Sequence, residues 1–148
     1  MGRTLIAAVV IAMMAGPAAA AMSSGTDDPP AASLGDVKRY VEREQYDRAI
    51  KKAEQFLASN PRSADAYNYI GYAHRKLGDF AAAAKAYDRA LTIDANHVGV
   101  HEYYGELQIA LGDMAKAEAH LAALTRICGD CAEREELAGH IAKAKTGG

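Results

Sequence analysis

Apolar and polar positions divide the chain of 148 residues into three stretches. In the first, Arg3 precedes an uncharged apolar run, Leu5 to Ala15 (LIAAVVIAMMA). Gly16-Pro17 breaks that run, and Ala18 to Ala21 are small. A basic start, an apolar run of this length and small residues after it predict a cleaved export signal over residues 1–21, cut after Ala20 or Ala21. The run is too short to span a bilayer comfortably. No cysteine follows the small residues, so no lipoprotein site is read there. The second stretch, residues 22–32 (MSSGTDDPPAA), is polar, proline-containing and aperiodic, which predicts a flexible leader. The third stretch, from Ser33, carries a helical pattern that repeats.

At a shift of 34 residues the chain aligns with itself. Gly71 falls on Gly105, and Gly78-Asp79 on Gly112-Asp113. Ala49 falls on Ala83 and then Ala117; Tyr46 falls on Phe80 and then Met114. No insertion is needed between Tyr40 and Cys128. Each period predicts two short helices. In the middle unit Ser63 is an N-cap, and the first helix runs to about Leu77. Gly78 supplies the left-handed residue that ends it. Asp79 caps a second helix from Phe80 to about Ile93. The first unit opens at Ser33, with Asp36 completing a capping box, but has Glu44-Gln45 where the others have Gly-Asp. Gly71 and Ala83, on opposite helices of one hairpin, are expected to let the two backbones approach. Tyr67, Ile70, Phe80, Tyr87, Ala90 and Leu91 are expected to fill the core around them.

The spacing resembles the tetratricopeptide repeat. The middle unit matches at Tyr67, Ile70-Gly71, Ala83, Tyr87 and Ala90, with His74 in a tyrosine slot and Ala95 where proline is usual. The third matches at Tyr104-Gly105, Ala117, Leu121 and Leu124, with His101 in an aromatic slot. The first keeps Tyr40, Tyr46, Ala49, Phe56 and Pro61, and has Asp36-Val37 in place of Leu-Gly. The resemblance implies an all-α fold: a right-handed α-solenoid of three helical hairpins, residues 33–61, 62–95 and 96–129. A fourth element, Asp130-Cys131-Ala132-Glu133, reads as a capping box opening a terminal capping helix, 131–145. Its apolar Leu137 and Ile141 are expected to cover the last hairpin while its charges face outward. The domain is then 33–145, and 146–148 a disordered tail.

The same resemblance implies that the first helix of each hairpin lines a concave face that binds extended peptides or partner helices. The family's groove slots fall on Lys38 in the first unit, on Asn68, Tyr72, Arg75 and Lys76 in the second, and on Glu102, Tyr103, Glu106 and Ile109 in the third. Tyrosine and arginine suit protein recognition. Chaperone-binding members of the family clamp a C-terminal carboxylate with Lys, Asn and Arg. Here Glu102 and Tyr103 stand in the third unit, so no chaperone C-terminus is expected as ligand.

Composition narrows the partner. The formal charge of −2 lacks the basic excess a nucleic-acid binder uses to displace counterions. The expected partner is a protein or peptide, with no nucleic acid and no membrane after signal cleavage. End-to-end stacking of repeats is opposed by the charged capping helix, which predicts a monomer or weak self-association.

Two cysteines, Cys128 and Cys131, carry the main chemical signal. Export predicts an oxidising compartment, the periplasm or the medium, where a structural disulfide would persist. A redox-active pair is the alternative, since Cys131 near a helix N-terminus would have a lowered thiol pKa. No strand-helix-strand pattern surrounds it. Haem attachment needs His where Ala132 stands, and zinc needs two further ligands, for which only His120 and His140 offer. His97 and His101, four apart, have metal-ligand spacing, but His101 fills a packing slot. There is no catalytic triad context, phosphate-binding glycine loop or zinc-protease motif. The expectation is a non-enzymatic interaction scaffold with no cofactor and no metal.

Overall fold

The structure is a computed structural model that describes residues 32–147. The export signal and all but the last residue of the leader lie outside the described residues. Within them are seven helices and no strand: α1 (Leu34–Glu42), α2 (Tyr46–Ser59), α3 (Ala64–Leu77), α4 (Phe80–Ile93), α5 (Val98–Ala110), α6 (Met114–Ile127) and α7 (Ala132–Thr146). The fold is an all-α solenoid of hairpins.

Local chemistry sets the helix ends. Ser33 caps α1 in a full capping box with Asp36, while the hydroxyl of Ser63 accepts from the Ala66 amide at the head of α3. Asp79 and Asp113 cap α4 and α6 through the amides of Ala82 and Lys116. The turns before them need a left-handed residue. Gly78 and Gly112 supply it at φ 81° and 77°. In the first hairpin Glu44 takes that conformation, at φ 56°. A side chain there costs about 1–2 kcal/mol in backbone strain, and glycine returns roughly half of it as lost chain entropy. Glu44→Gly is therefore expected to stabilise the protein by about 0.5–1 kcal/mol, raising the thermal midpoint by roughly 2–4 °C in a circular-dichroism melt.

The core forms three clusters in series, as each hairpin buries its apolar face on the next. One centres on Val37, Ala53 and Ile70; one on Ala83, Tyr87, Val100 and Leu107; one on Ala117, Leu124, Leu137 and Ile141. The first helices touch one another along the array, α1 on α3, α3 on α5 and α5 on α7. The second helices α2, α4 and α6 touch their hairpin partners but not each other. Close first helices and separated second helices give a curved stack, with α1, α3, α5 and α7 as its inner wall. α5 lies against α3, α4, α6 and α7, and is buried on several sides at Val100, His101, Glu102, Gly105, Leu107 and Gln108.

Three expectations are corrected. Gly71 does not serve a backbone-to-backbone approach to Ala83: a Cβ there would lie 2.4 Å from the Tyr87 ring, so the glycine makes room for an aromatic side chain. Gly105 likewise makes room for Leu137 of α7, at 2.5 Å. The box headed by Asp130 does not form. Cys131 is the N-cap of α7 and makes no side-chain capping bond, its sulfur being joined to Cys128. The capping helix begins at Ala132 and continues through Thr146, whose hydroxyl donates to the carbonyls of Ala142 and Lys143. Thr146 is thus helical rather than part of a tail.

Candidate functional site

Side chains three and four apart share a helix face, so Asn68, Tyr72 and Arg75 of α3 align, as do Glu102, Glu106 and Ile109 of α5. The stacking of first helices sets these two rows side by side on the inner wall. Between them runs a row of aromatic rings. Tyr72 lies 4.9 Å from Tyr103, centroid to centroid, and 6.3 Å from Tyr46 at the start of α2. The Arg75 guanidinium sits 5.3 Å from the Tyr72 ring centre and 5.8 Å from that of Tyr103. Lys76 approaches the same Tyr72 ring at 5.5 Å.

Arg75 is not a free cation awaiting a ligand. It pairs with Glu106 at 2.7 Å, the two side chains being 14% and 16% exposed. Glu106 also faces His140 of α7 at 3.5 Å. The Tyr87 hydroxyl, fully buried beneath, has its pKa pushed up by burial and drawn back by Arg75. Arg75 therefore ties α3 to α5, while its Nε and the Tyr87 hydroxyl of α4 are left without hydrogen-bond partners. A cleft of about 520 Å³ opens beside it, lined by Glu106, Ile109, His140 and Lys143 among others.

The remaining groove candidates divide by depth. Asn68 and Glu102, at equivalent positions of successive repeats, are buried, 8% and 4% exposed. Asn68 Oδ1 has no hydrogen-bond partner. Ile109 packs on the α6–α7 core, whereas Lys38 is exposed on α1 and faces only Glu42, at 3.8 Å. Lys38 thus stands apart from the cluster formed by Tyr72, Arg75, Tyr103 and Glu106. Tyr46, Glu133, Glu136 and His140 join the wall without having been read as groove residues. The signal for the last three was a polar stripe at helical spacing on α7, opposite Leu137 and Ile141.

The histidines take structural partners. His97 caps α5: its Nδ1 accepts from the Val100 amide, leaving Nε2–H to donate to Asp65 at 2.9 Å. His101 donates Nε2–H to the Ala95 carbonyl at 3.0 Å, so its Nδ1 accepts from His120 Nδ1–H at 3.0 Å. The His97–His101 metal spacing therefore does not converge. Cys128 and Cys131 form a disulfide, with no thiol left to bind zinc. Among the described residues no three His, Cys, Asp or Glu side chains converge as a metal site. No helix there is long and apolar enough to cross a membrane.

Two groups, the half-buried His120 and the buried Glu102, make stability depend on pH in opposite directions. Burial, with the His101 ring beside it, pushes His120 from 6.5 down to about 4. The unfolded ring takes a proton below about 6.5 and the folded ring resists, so this contribution is whole above that pH and drains as pH falls toward 4. Burial and the carboxylates of Glu136, Glu106 and Glu133 raise Glu102 from 4.5 to about 8. The folded chain keeps a proton that the unfolded chain releases, so this contribution is whole below 4.5 and drains as pH rises toward 8. Glu102→Gln removes only the second loss. Its melting temperature is expected to gain on the parent between pH 5 and pH 8, by the equivalent of about 1–2 kcal/mol after solvent screening.

Comparison with known proteins bears on this geometry. A family model described as tetratricopeptide repeat matches residues 37–98, and a second of the same description matches 74–141. A protein of Triticum aestivum described as an Hsp70-Hsp90 organizing protein is 34% identical over 89 residues, 60% of this chain and 13% of that protein. The chain thus spans a small part of that relative. Of solved structures, the TPR2B domain of yeast Sti1 in its pHsp70 complex superposes with a TM-score of 0.69 at 22% identity, covering 78% of this chain and 94% of that one. The first TPR of Spaghetti (RPAP3), bound to the HSP90 peptide SRMEEVD, does so with a TM-score of 0.67 at 17% identity, covering 76% and 89%. At these identities the superpositions show the fold.

Proposed function

The chain belongs to the tetratricopeptide-repeat family, whose members are interaction scaffolds rather than enzymes, and on that premise we propose that its inner wall binds a segment of a protein partner. The observation that carries this is the half-buried Tyr46–Tyr72–Tyr103 row, which runs from the start of α2 across the stacked first helices α3 and α5, with the Arg75 guanidinium set against two of its rings. Tyrosine offers rigid contact area at low entropy cost, and the Arg75–Glu106 pair holds the row in place before any ligand arrives. One structural relative holds an HSP90 peptide and another is in a pHsp70 complex, which supports a peptide-sized ligand without naming it. The apolar run and small residues within 1–21 support an exported protein, acting in the periplasm or medium. The Cys128–Cys131 disulfide suits that compartment.

Tyr72→Ala removes the central ring while leaving the Arg75–Glu106 pair. It is expected to weaken capture of the copurifying partner at least ten-fold, with little change in the melting temperature. Undiminished capture by a folded Tyr72→Ala protein would sink this reading. A thiol-disulfide role has one observation in its favour, the position of Cys131 at the N-terminus of α7. Partner recovery through a mixed disulfide at Cys128 in a Cys131→Ser protein would support that role instead.

A further inference from the structure

We propose that the stretch 22–31 docks on the open N-terminal end of the solenoid, setting Asp27 and Asp28 on Arg48, Lys51 and Lys52 of α2 and Pro29-Pro30 against the Tyr40 ring. This surface lies outside the groove and does not depend on the groove reading.

A cleft of about 230 Å³ opens on the first hairpin, lined by Tyr40 of α1 and by Arg48, Lys51, Lys52 and Gln55 of α2. A shift of 34 residues carries these positions onto His74, Ala82, Lys85, Ala86 and Arg89, which line a larger cleft of about 780 Å³. There the preceding hairpin adds Glu54 and Leu57 of α2 to the lining, one acid and one apolar side chain. Among the described residues only Ala32 and Ser33 precede α1, so the first cleft has no such contribution. It is the end of the stack.

This end is basic. Arg48 and Lys52 stand where the second repeat has Ala82 and Ala86. Four apart on one helix, the two cations repel each other. Their hydrogen bonds go to neutral amide oxygens, of Gln45 at 3.4 Å and of Gln55 at 3.2 Å. Glu44 and Asp47 stand four before Arg48 and Lys51, yet among the described residues no ion pair reaches Arg48, Lys51 or Lys52. The ion pairs of α1, Lys38–Glu42 and Arg39–Asp36, are made within that helix. Three cations therefore share one cleft with a half-buried tyrosine and no carboxylate bound to them.

The chain just before α1 carries the complementary groups. Residues 22–31 (MSSGTDDPPA) hold two acids and no Lys or Arg. Asp27 and Asp28 would supply the charge that Glu54 brings one repeat on, and the proline rings the apolar surface that Leu57 brings. Proline-rich segments pack well on aromatic side chains. The reach suffices: Asp28 is five residues before Ser33, about 17 Å of extended chain. Tyr40 is seven residues beyond Ser33, about 10 Å along α1. Single exposed ion pairs are weak, but a short tether gives the segment an effective concentration of order millimolar. Terminal repeats of a solenoid need a cover, and α7 supplies one at the other end.

The test uses the 15N-labelled full chain as purified, with Thr26→Cys carrying a nitroxide label. The native cysteines are joined to each other, so this thiol alone reacts. At low salt the amide signals of Arg48, Lys51 and Lys52 are expected to lose at least half their intensity, while Lys116 of α6 keeps its own. Asp27→Asn with Asp28→Asn, or 0.5 M sodium chloride, should restore at least half of that loss. Neither change touches a helix, so misfolding cannot imitate the result. Broadening at Arg48 and Lys51 that is absent, or unchanged by the asparagine pair, would overturn the proposal. Broadening that persists when the nitroxide is carried only by an unlabelled second copy would also overturn it, in favour of contact between molecules.

Discussion

Gly71→Ala is expected to cost the fold about 2–3 kcal/mol, although alanine is by about 1 kcal/mol the better helix former. The new Cβ would lie 2.4, 2.6 and 2.9 Å from three atoms of the Tyr87 ring. That ring is fully buried and packs on Tyr104 at 5.3 Å between centroids, so it has nowhere to turn. Overpacking a closed core forces side chains out of their rotamers and shifts backbone. The check is urea unfolding followed by circular dichroism, with Gly139→Ala as the control. Nothing lies within 4 Å of a Cβ at Gly139. The same substitution there is expected to stabilise by roughly 0.5–1 kcal/mol. Tyr87→Leu should recover part of the loss in Gly71→Ala, since it removes the clashing atoms; a double-mutant cycle measures the coupling. Equal effects at Gly71 and Gly139 would show that the ring does not occupy the glycine's notch.

Arg75→Ala is expected to destabilise by about 3 kcal/mol or more. Removing one partner of a mostly buried pair leaves the other charge uncompensated. Here Glu106 would be left with His140 alone among neighbouring carboxyl groups, and the guanidinium between Tyr72 and Tyr103 would be lost. Arg75→Glu adds a further negative charge beside Glu106 and is expected to be worse. Substitution at Arg75 therefore cannot serve as a clean probe of partner binding, despite the residue's place in the groove. Arg75→Ala together with Glu106→Ala should recover part of the stability, because no buried charge is then stranded. A single Arg75→Ala protein as stable as its parent would show that the pair contributes little.

The fold was legible because its rules are local. The Gly-Asp turns and the serine and aspartate caps each act within a few residues, the 34-residue period repeats them, and their helices appear where the pattern puts them. The misreadings come from contacts between repeats. Gly71 reads as a helix-approach residue until Tyr87 is seen to lie in its notch. Asp130 reads as a cap until the disulfide fixes Cys131 at the head of α7. In the groove, residue types were readable while pairings were not. Tyr72 meets Tyr103 and Arg75 meets Glu106 one helical turn short of the repeat length, an offset set by how the first helices stack. Glu133, Glu136 and His140 enter the wall because α7 stacks as a further first helix. Its polar stripe is visible in sequence, but the side on which it falls depends on Leu137 seating against Gly105.

The most direct measurement is site-specific photocrosslinking in the producing cell. A benzophenone amino acid is placed at Tyr72 on the inner wall, or at exposed Lys85 on the outer helix α4. The account predicts a discrete crosslinked partner from position 72 and none of that mass from position 85. The same partner captured from position 85 and absent at position 72 would contradict it.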